Sequence, residues 1–152
     1  MFLLKRIGMK VKIVNKSGNK LPEYSTPNSA GMDLRAMLDY NLTLKPLERT
    51  VVPTGLYIEL PKGYEAQIRP RSGLAAEKGI TVLNSPGTID CDYRGEIKVI
   101  LINLSNEVFI LKNGERIAQM IISKYKKIKW IKSESISATK RGNGGFGHTG
   151  KE

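Results

Sequence analysis

The chain has 152 residues, 40% hydrophobic and 26% charged, with a formal net charge of +11. That length and composition fit one domain with a sizeable core and exclude wholesale disorder. Cys91 and His148 are the only cysteine and histidine, which excludes an intrachain disulfide and a Cys/His zinc site.

No apolar run approaches a membrane span, and Met1–Arg6 has too short an apolar core for a signal peptide, so the expected compartment is the cytoplasm. The first predicted strand is Lys10–Val14, and residues 1–8 read as an upstream extension. Ser29–Ala36 follows a loop with a bend expected at Gly31; Asp33 there can serve the turn, bind a metal or orient an arginine. Leu56–Leu60 is a predicted strand closed by Pro61-Lys62-Gly63.

Arg69-Pro70-Arg71-Ser72-Gly73 precedes the one predicted helix, with Ser72 as N-cap, helix formers at 74–78 and Gly79 as left-handed stop. Two guanidiniums, a hydroxyl and free N–H groups suit an anion there, and Gly73 lets it approach the backbone; ordinary capping with surface arginines uses the same residues. Gly87–Glu96 reads Gly-Thr-Ile-Asp-Cys-Asp-Tyr-Arg-Gly-Glu. As a tight hairpin it offers two carboxylates and an aromatic ring, enough to hold a planar ligand and activate a water, or to form a solvated turn.

Further strands are predicted at Ile97–Leu104, Val108–Leu111 and Ile117–Ile122, with Gly114–Gln119 as a hairpin entering the last and Gln119 facing inward. Short strands every ten or so residues indicate an all-β sandwich or barrel. Val99-Ile100-Leu101-Ile102 needs cover on both faces, from a second sheet or a neighbouring subunit. The lysines at 124, 126, 127, 129 and 132 suit solvent or a polyanion. The β domain is expected over residues 1–140, followed by a flexible glycine-rich tail over 141–152. In that tail Arg141 can reach phosphates and Phe146 can stack on a base.

Five segments resemble, in order, the five motifs of the trimeric dUTP diphosphatase (dUTPase) family. They are Ala30–Ala36, Arg69–Ala75, Gly87–Glu96 with Asn84-Ser85-Pro86 leading in, Gly114–Gln119 and Arg141–Gly150. The likeness runs from Lys10 nearly to the end. Two positions depart: His148 stands where many members carry Ser, and Lys98 is at a variable position, so only its backbone carries over.

The resemblance implies a jelly-roll-like fold, a homotrimer, and hydrolysis of dUTP to dUMP and pyrophosphate, which limits uracil in DNA and supplies dUMP for thymidylate synthesis. It implies Asp90 as catalytic carboxylate and Arg71, Ser72, Gly73 and Gln119 as a phosphate cradle, closed by Arg141. Backbone groups near Thr88, Ile89 and Lys98, with Asn84, would read uracil; Tyr93 would lie on the deoxyribose, Phe146 over the base, and Asp33 would support the site. Mg²⁺ would ride on phosphates and waters, with no direct protein ligand. Each site would take the third motif from one subunit, the first, second and fourth from another, and the tail from the third. The alternatives are a dCTP deaminase-like enzyme, which would release ammonia from dCTP, and a basic nucleic-acid-binding β module. The few scattered aromatics speak against the latter, so no stable nucleic-acid complex and no membrane partner are expected.

Overall fold

The computed structural model describes residues 8–146. Its ten strands are β1 Lys12–Asn15, β2 Gly31–Arg35, β3 Leu42–Leu44, β4 Arg49–Glu59, β5 Tyr64–Arg69, β6 Ile80–Val82, β7 Gly87–Ile89, β8 Ile97–Asn103, β9 Phe109–Leu111 and β10 Arg116–Lys124. The helix α1 spans Ser72–Lys78. One four-stranded sheet runs β1-β4-β8-β6, a second runs β2-β10-β5-β7, and β3 pairs with β9. All of these pairings are antiparallel. Sequence neighbours sit in different sheets throughout, as in a jelly roll, so the expected all-β sandwich with one short helix is the fold observed.

The core lies between the sheets and follows strand alternation. Along β8 Ile97, Val99, Leu101 and Asn103 point inward, while Lys98 faces solvent. Leu34, Leu44, Val52, Leu111 and Ile117 close on them from the other strands. Asn103 is fully buried yet satisfied: its amide donates to the carbonyls of Leu44 (3.0 Å) and Glu107 (2.8 Å), and its oxygen accepts from Ser105 N–H (2.9 Å) and Oγ (2.8 Å). It thereby ties the two-stranded ribbon to β8.

Several expectations are corrected. The first strand starts at Lys12 and the second at Gly31, so Gly31 opens a strand where a bend was expected. The strand read as Leu56–Leu60 extends back to Arg49 through a bulge between Pro53 and Leu56, which is how a proline and a glycine are accommodated inside it. Residue 71, not Ser72, occupies the N-cap position, with extended backbone and no side-chain cap, and Ser72 is the first helical residue. Gly79 does stop the helix, at φ 63°, its N–H bonded to the carbonyls of Ala75 and Leu74. The 87–96 segment is not a paired hairpin: β7 pairs with β5 and β8 with β4 and β6, so the turn between them crosses from one sheet to the other. The same holds for 109–124, since β9 pairs with β3 and β10 with β2 and β5.

Candidate active site

Strands β2, β10 and β5 set Asp33, Gln119 and Arg69 side by side, since Gln119 is the register partner of both others. Arg71 follows two residues beyond Arg69 and turns back. Its Nε donates to Asp33 Oδ1 at 3.0 Å, and its Nη1 to the Arg116 carbonyl at 3.3 Å. Arg116 Nη1 donates to the other Asp33 oxygen at 3.0 Å. One carboxylate therefore accepts from two guanidiniums, one on each oxygen. The charge-assisted bonds are only partly shielded from water.

Gln119 is half-buried and donates from Nε2 to the Pro70 carbonyl at 2.9 Å. It reaches there because Gly31 has no side chain: a Cβ on Gly31 would collide with Gln119 Oε1. Ser72 and Gly73 open the helix beside this cluster, both exposed. Arg71, Gly73 and Arg116 also line an open cavity of about 690 Å³, with Arg35, Leu74 and Phe109 among its other walls.

The second cluster sits at the β7–β8 crossing. Asp90 is exposed directly after β7. Tyr93 N–H donates to the Asp90 carbonyl at 3.1 Å, and Arg94 Nη1 donates to the carbonyls of Cys91 (2.7 Å) and Tyr93 (3.0 Å), so the turn is pinned from inside. Cys91 Sγ lies 3.8 Å from Tyr125 Oη, and that hydrogen bond, more than partial desolvation, raises the phenol above its ordinary range. Thr88 is exposed, Ile89 packs partly into the core, and β7 is an edge strand with one side unpaired. Asn84 Nδ2 comes near Gly87, where an added Cβ would stand 3.4 Å from it. Lys98 is exposed, its Nζ 3.7 Å from Glu96 Oε2.

The two clusters are not brought together within one chain. Ile89 pairs with Ala66, so Asp90 falls level with Glu65, six residues from Arg71 along β5 and its extension. At about 3.3 Å per residue that puts their Cα atoms up to about 20 Å apart. Phe146, the last described residue, is fully exposed, and Arg141 bonds locally to the Gly144 carbonyl at 2.9 Å. His148 lies outside the described residues. Sequence reasoning missed Arg116 as the second arginine on Asp33 and Gly31 as the space for Gln119. Only side-chain geometry reveals them; in sequence Arg116 is one of many cations.

Among the described residues no three His, Cys, Asp or Glu side chains converge on a metal position. No helix among them is long and apolar enough to cross a membrane.

The dUTPase family model matches residues 17–150. The deoxyuridine 5'-triphosphate nucleotidohydrolase of Finegoldia magna is 60% identical over 142 residues, covering 93% of this chain and 99% of the relative. Its counterpart in Rickettsia bellii is 60% identical over 142 residues, covering 93% and 95%. Among solved structures, a mutant dUTPase of Staphylococcus bacteriophage 80alpha with dUpNHpp superposes with a TM-score of 0.83 at 23% identity, over 93% of this chain and 98% of that one. A mutant dUTPase from phage phi11 of S. aureus, described with a structural Mg(II) ion, gives 0.76 at 18% identity, over 86% and 100%. The fold of the phage enzymes is thus shared, and on the full-length relatives and the family match this chain belongs to the dUTPase family.

Proposed function

We propose that the protein hydrolyses dUTP to dUMP and pyrophosphate in a site assembled from the chains of a homotrimer. The observation that carries the reaction is the 60% identity, over nearly the whole chain, to relatives named for it. Assembly from several chains is supported by placement: Asp90 falls level with Glu65 near the start of β5, while Arg71 lies beyond its other end and is bonded to Asp33, across β5 from β7.

Surfaces that one chain leaves bare suit such an assembly. On the outer face of β4 and β8, Val51 pairs with Ile100, and Ile102, Leu83 and Leu104 lie near, an apolar patch that water penalises. After Lys124, residues 125–146 carry no helix or strand, yet hold the exposed Ile128, Trp130, Ile131 and Ile136. An arm of this kind gains stability by lying on another subunit.

In the assembled site Asp90 accepts a proton from the attacking water. The water oxygen bonds to the α-phosphorus, the bond from phosphorus to the α–β bridging oxygen breaks, and pyrophosphate leaves. Arg71, Ser72, Gly73 and Gln119 of a second chain hold the phosphates, with Arg71 kept in aim by Asp33. Arg141 closes on the γ end and Phe146 covers the base, excluding water. Backbone groups near Thr88, Ile89 and Lys98, assisted by Asn84, match the acceptor–donor–acceptor edge of uracil, which cytosine cannot satisfy without unpaired polar groups. Tyr93 lies on the deoxyribose and leaves no room for a 2′-hydroxyl.

Mg²⁺ would travel with the triphosphate and its waters, since it keeps its hydration and needs few protein ligands. When bound it offsets charge on the leaving pyrophosphate. A reducing interior such as the cytoplasm suits the single cysteine. Pyrophosphate release measured across all deoxynucleoside triphosphates tests the proposal. Release from dUTP with little from the others is expected; ammonia from dCTP, or no release from dUTP, refutes it.

A further inference from the structure

We propose that Gly95 and Glu96 are positioning residues that set sugar specificity, holding the Tyr93 ring where it bars a 2′-hydroxyl. This deepens, and rests on, the assignment of Tyr93 to the deoxyribose.

The Tyr93 ring folds back along its own turn. Its Oη donates to the Glu96 carbonyl at 2.9 Å. To do so the ring passes directly over Gly95, where an added Cβ would stand 2.5 Å from Tyr93 Cζ and 2.8 Å from Cε2. No real Cβ tolerates such distances, so the ring occupies the space a side chain would take. Nothing in the backbone demands glycine at 95, since its φ is not in the left-handed region. What meets the added atom is the outer end of a side chain that is 43% exposed, with solvent to move into. An alanine at 95 therefore displaces the ring and leaves the main chain in place.

Glu96 supplies the other half of the clamp. Its backbone carbonyl receives the phenol, and its own carboxylate Oε1 accepts the Gly55 N–H at 2.8 Å. Gly55 lies inside the β4 bulge at φ 69°, wedged where a Cβ would stand 2.8 Å from Met37 Sδ, Ser17 Cβ and Ser17 N. The bulge is a fixed point, and Glu96 ties the ring to it. Uracil, by contrast, is read by groups on β7 and β8, so loosening the ring alters discrimination at the sugar and not at the base.

The test is kcat/KM for dUTP, UTP and dCTP with the full-length protein and three variants. Gly95→Ala is expected to lower the dUTP/UTP ratio by about tenfold or more while dUTP/dCTP stays within about twofold. Glu96→Ala is expected to lower the same ratio, and Glu96→Gln, whose amide oxygen can still accept the Gly55 N–H, to restore it. Equal losses on all three substrates would mean a merely structural role and overturn the inference. A wild type that prefers dUTP while Gly95→Ala keeps its full dUTP/UTP ratio overturns this inference alone. A wild type inactive on dUTP overturns the parent assignment and this one together. If Gly95→Ala does not fold, the Glu96 pair decides by the same ratio.

Discussion

Asp33→Asn isolates the carboxylate that aims the two arginines. The wild-type oxygens accept from Arg71 Nε and Arg116 Nη1, both at 3.0 Å. An amide of the same shape has one acceptor oxygen, so one guanidinium loses its partner and faces an N–H₂ group. Hydrogen bonds to charged groups contribute about 1.5–3 kcal/mol each when shielded. Here the side chains of Asp33, Arg71 and Arg116 are 27%, 24% and 49% exposed, and screening brings the loss down to about 1–2 kcal/mol. For a chain of this size that lowers the melting temperature by a few degrees. Because Arg71 would then search for its orientation at every binding event, KM for dUTP should rise by about tenfold, with a smaller change in kcat. Thermal melting and steady-state kinetics on the same preparation give both numbers. A melting loss with unchanged KM would show that Asp33 serves only the fold, and no change in either would refute the ion cluster as an energetic unit.

Asp90→Asn should keep dUTP binding but lose about 10² to 10⁴ in kcat, because the amide cannot take the water's proton; a rate within a few-fold of wild type would move the base elsewhere, with Asp92 next. Gly31→Ala should push Gln119 off the Pro70 carbonyl and raise KM, with a smaller melting loss than Asp33→Asn, since only a side-chain end must move; an unchanged KM would remove Gln119 from the cradle. Leu101→Ala, at a fully buried site on β8, should cost about 2–5 kcal/mol in denaturant unfolding, and a loss below about 1 kcal/mol would contradict the core as described.

What could be read without coordinates was whatever leaves a local trace. Gly79 adopts the left-handed stop at the helix end, and the apolar runs read at 97–104 and 117–122 are strands, bounded at 97–103 and 116–124. Ser72 misled, since a good capping residue one position inside the helix looks the same in sequence as one at the cap. The 87–96 segment misled for a deeper reason. Two strands around a tight turn resemble a hairpin, but jelly-roll connectivity sends them to different sheets, a long-range choice with no local signature. For Asp33 the residues left turn chemistry, metal binding and the orienting of an arginine all open. Its link to Arg116, 83 residues away, was not legible, because strand register creates it. The motifs named the residues of the candidate site; the distance between its two halves came only from the pairing of β7 with β5.

The central claim, that one site draws on more than one chain, is tested most directly by complementation. Asp90→Asn is paired with a truncation after Lys140, which removes Arg141 and Phe146 while sparing every strand of the described residues. Each variant alone should be nearly inactive. The two are unfolded together, refolded, and assayed for pyrophosphate release from dUTP. If Asp90 and the tail come from different chains, random equal mixing gives about a quarter of sites with both parts intact, and activity should return to that level. If both come from one chain, no mixture holds a complete site. Absence of recovery in oligomers verified to contain both variants would contradict the shared site.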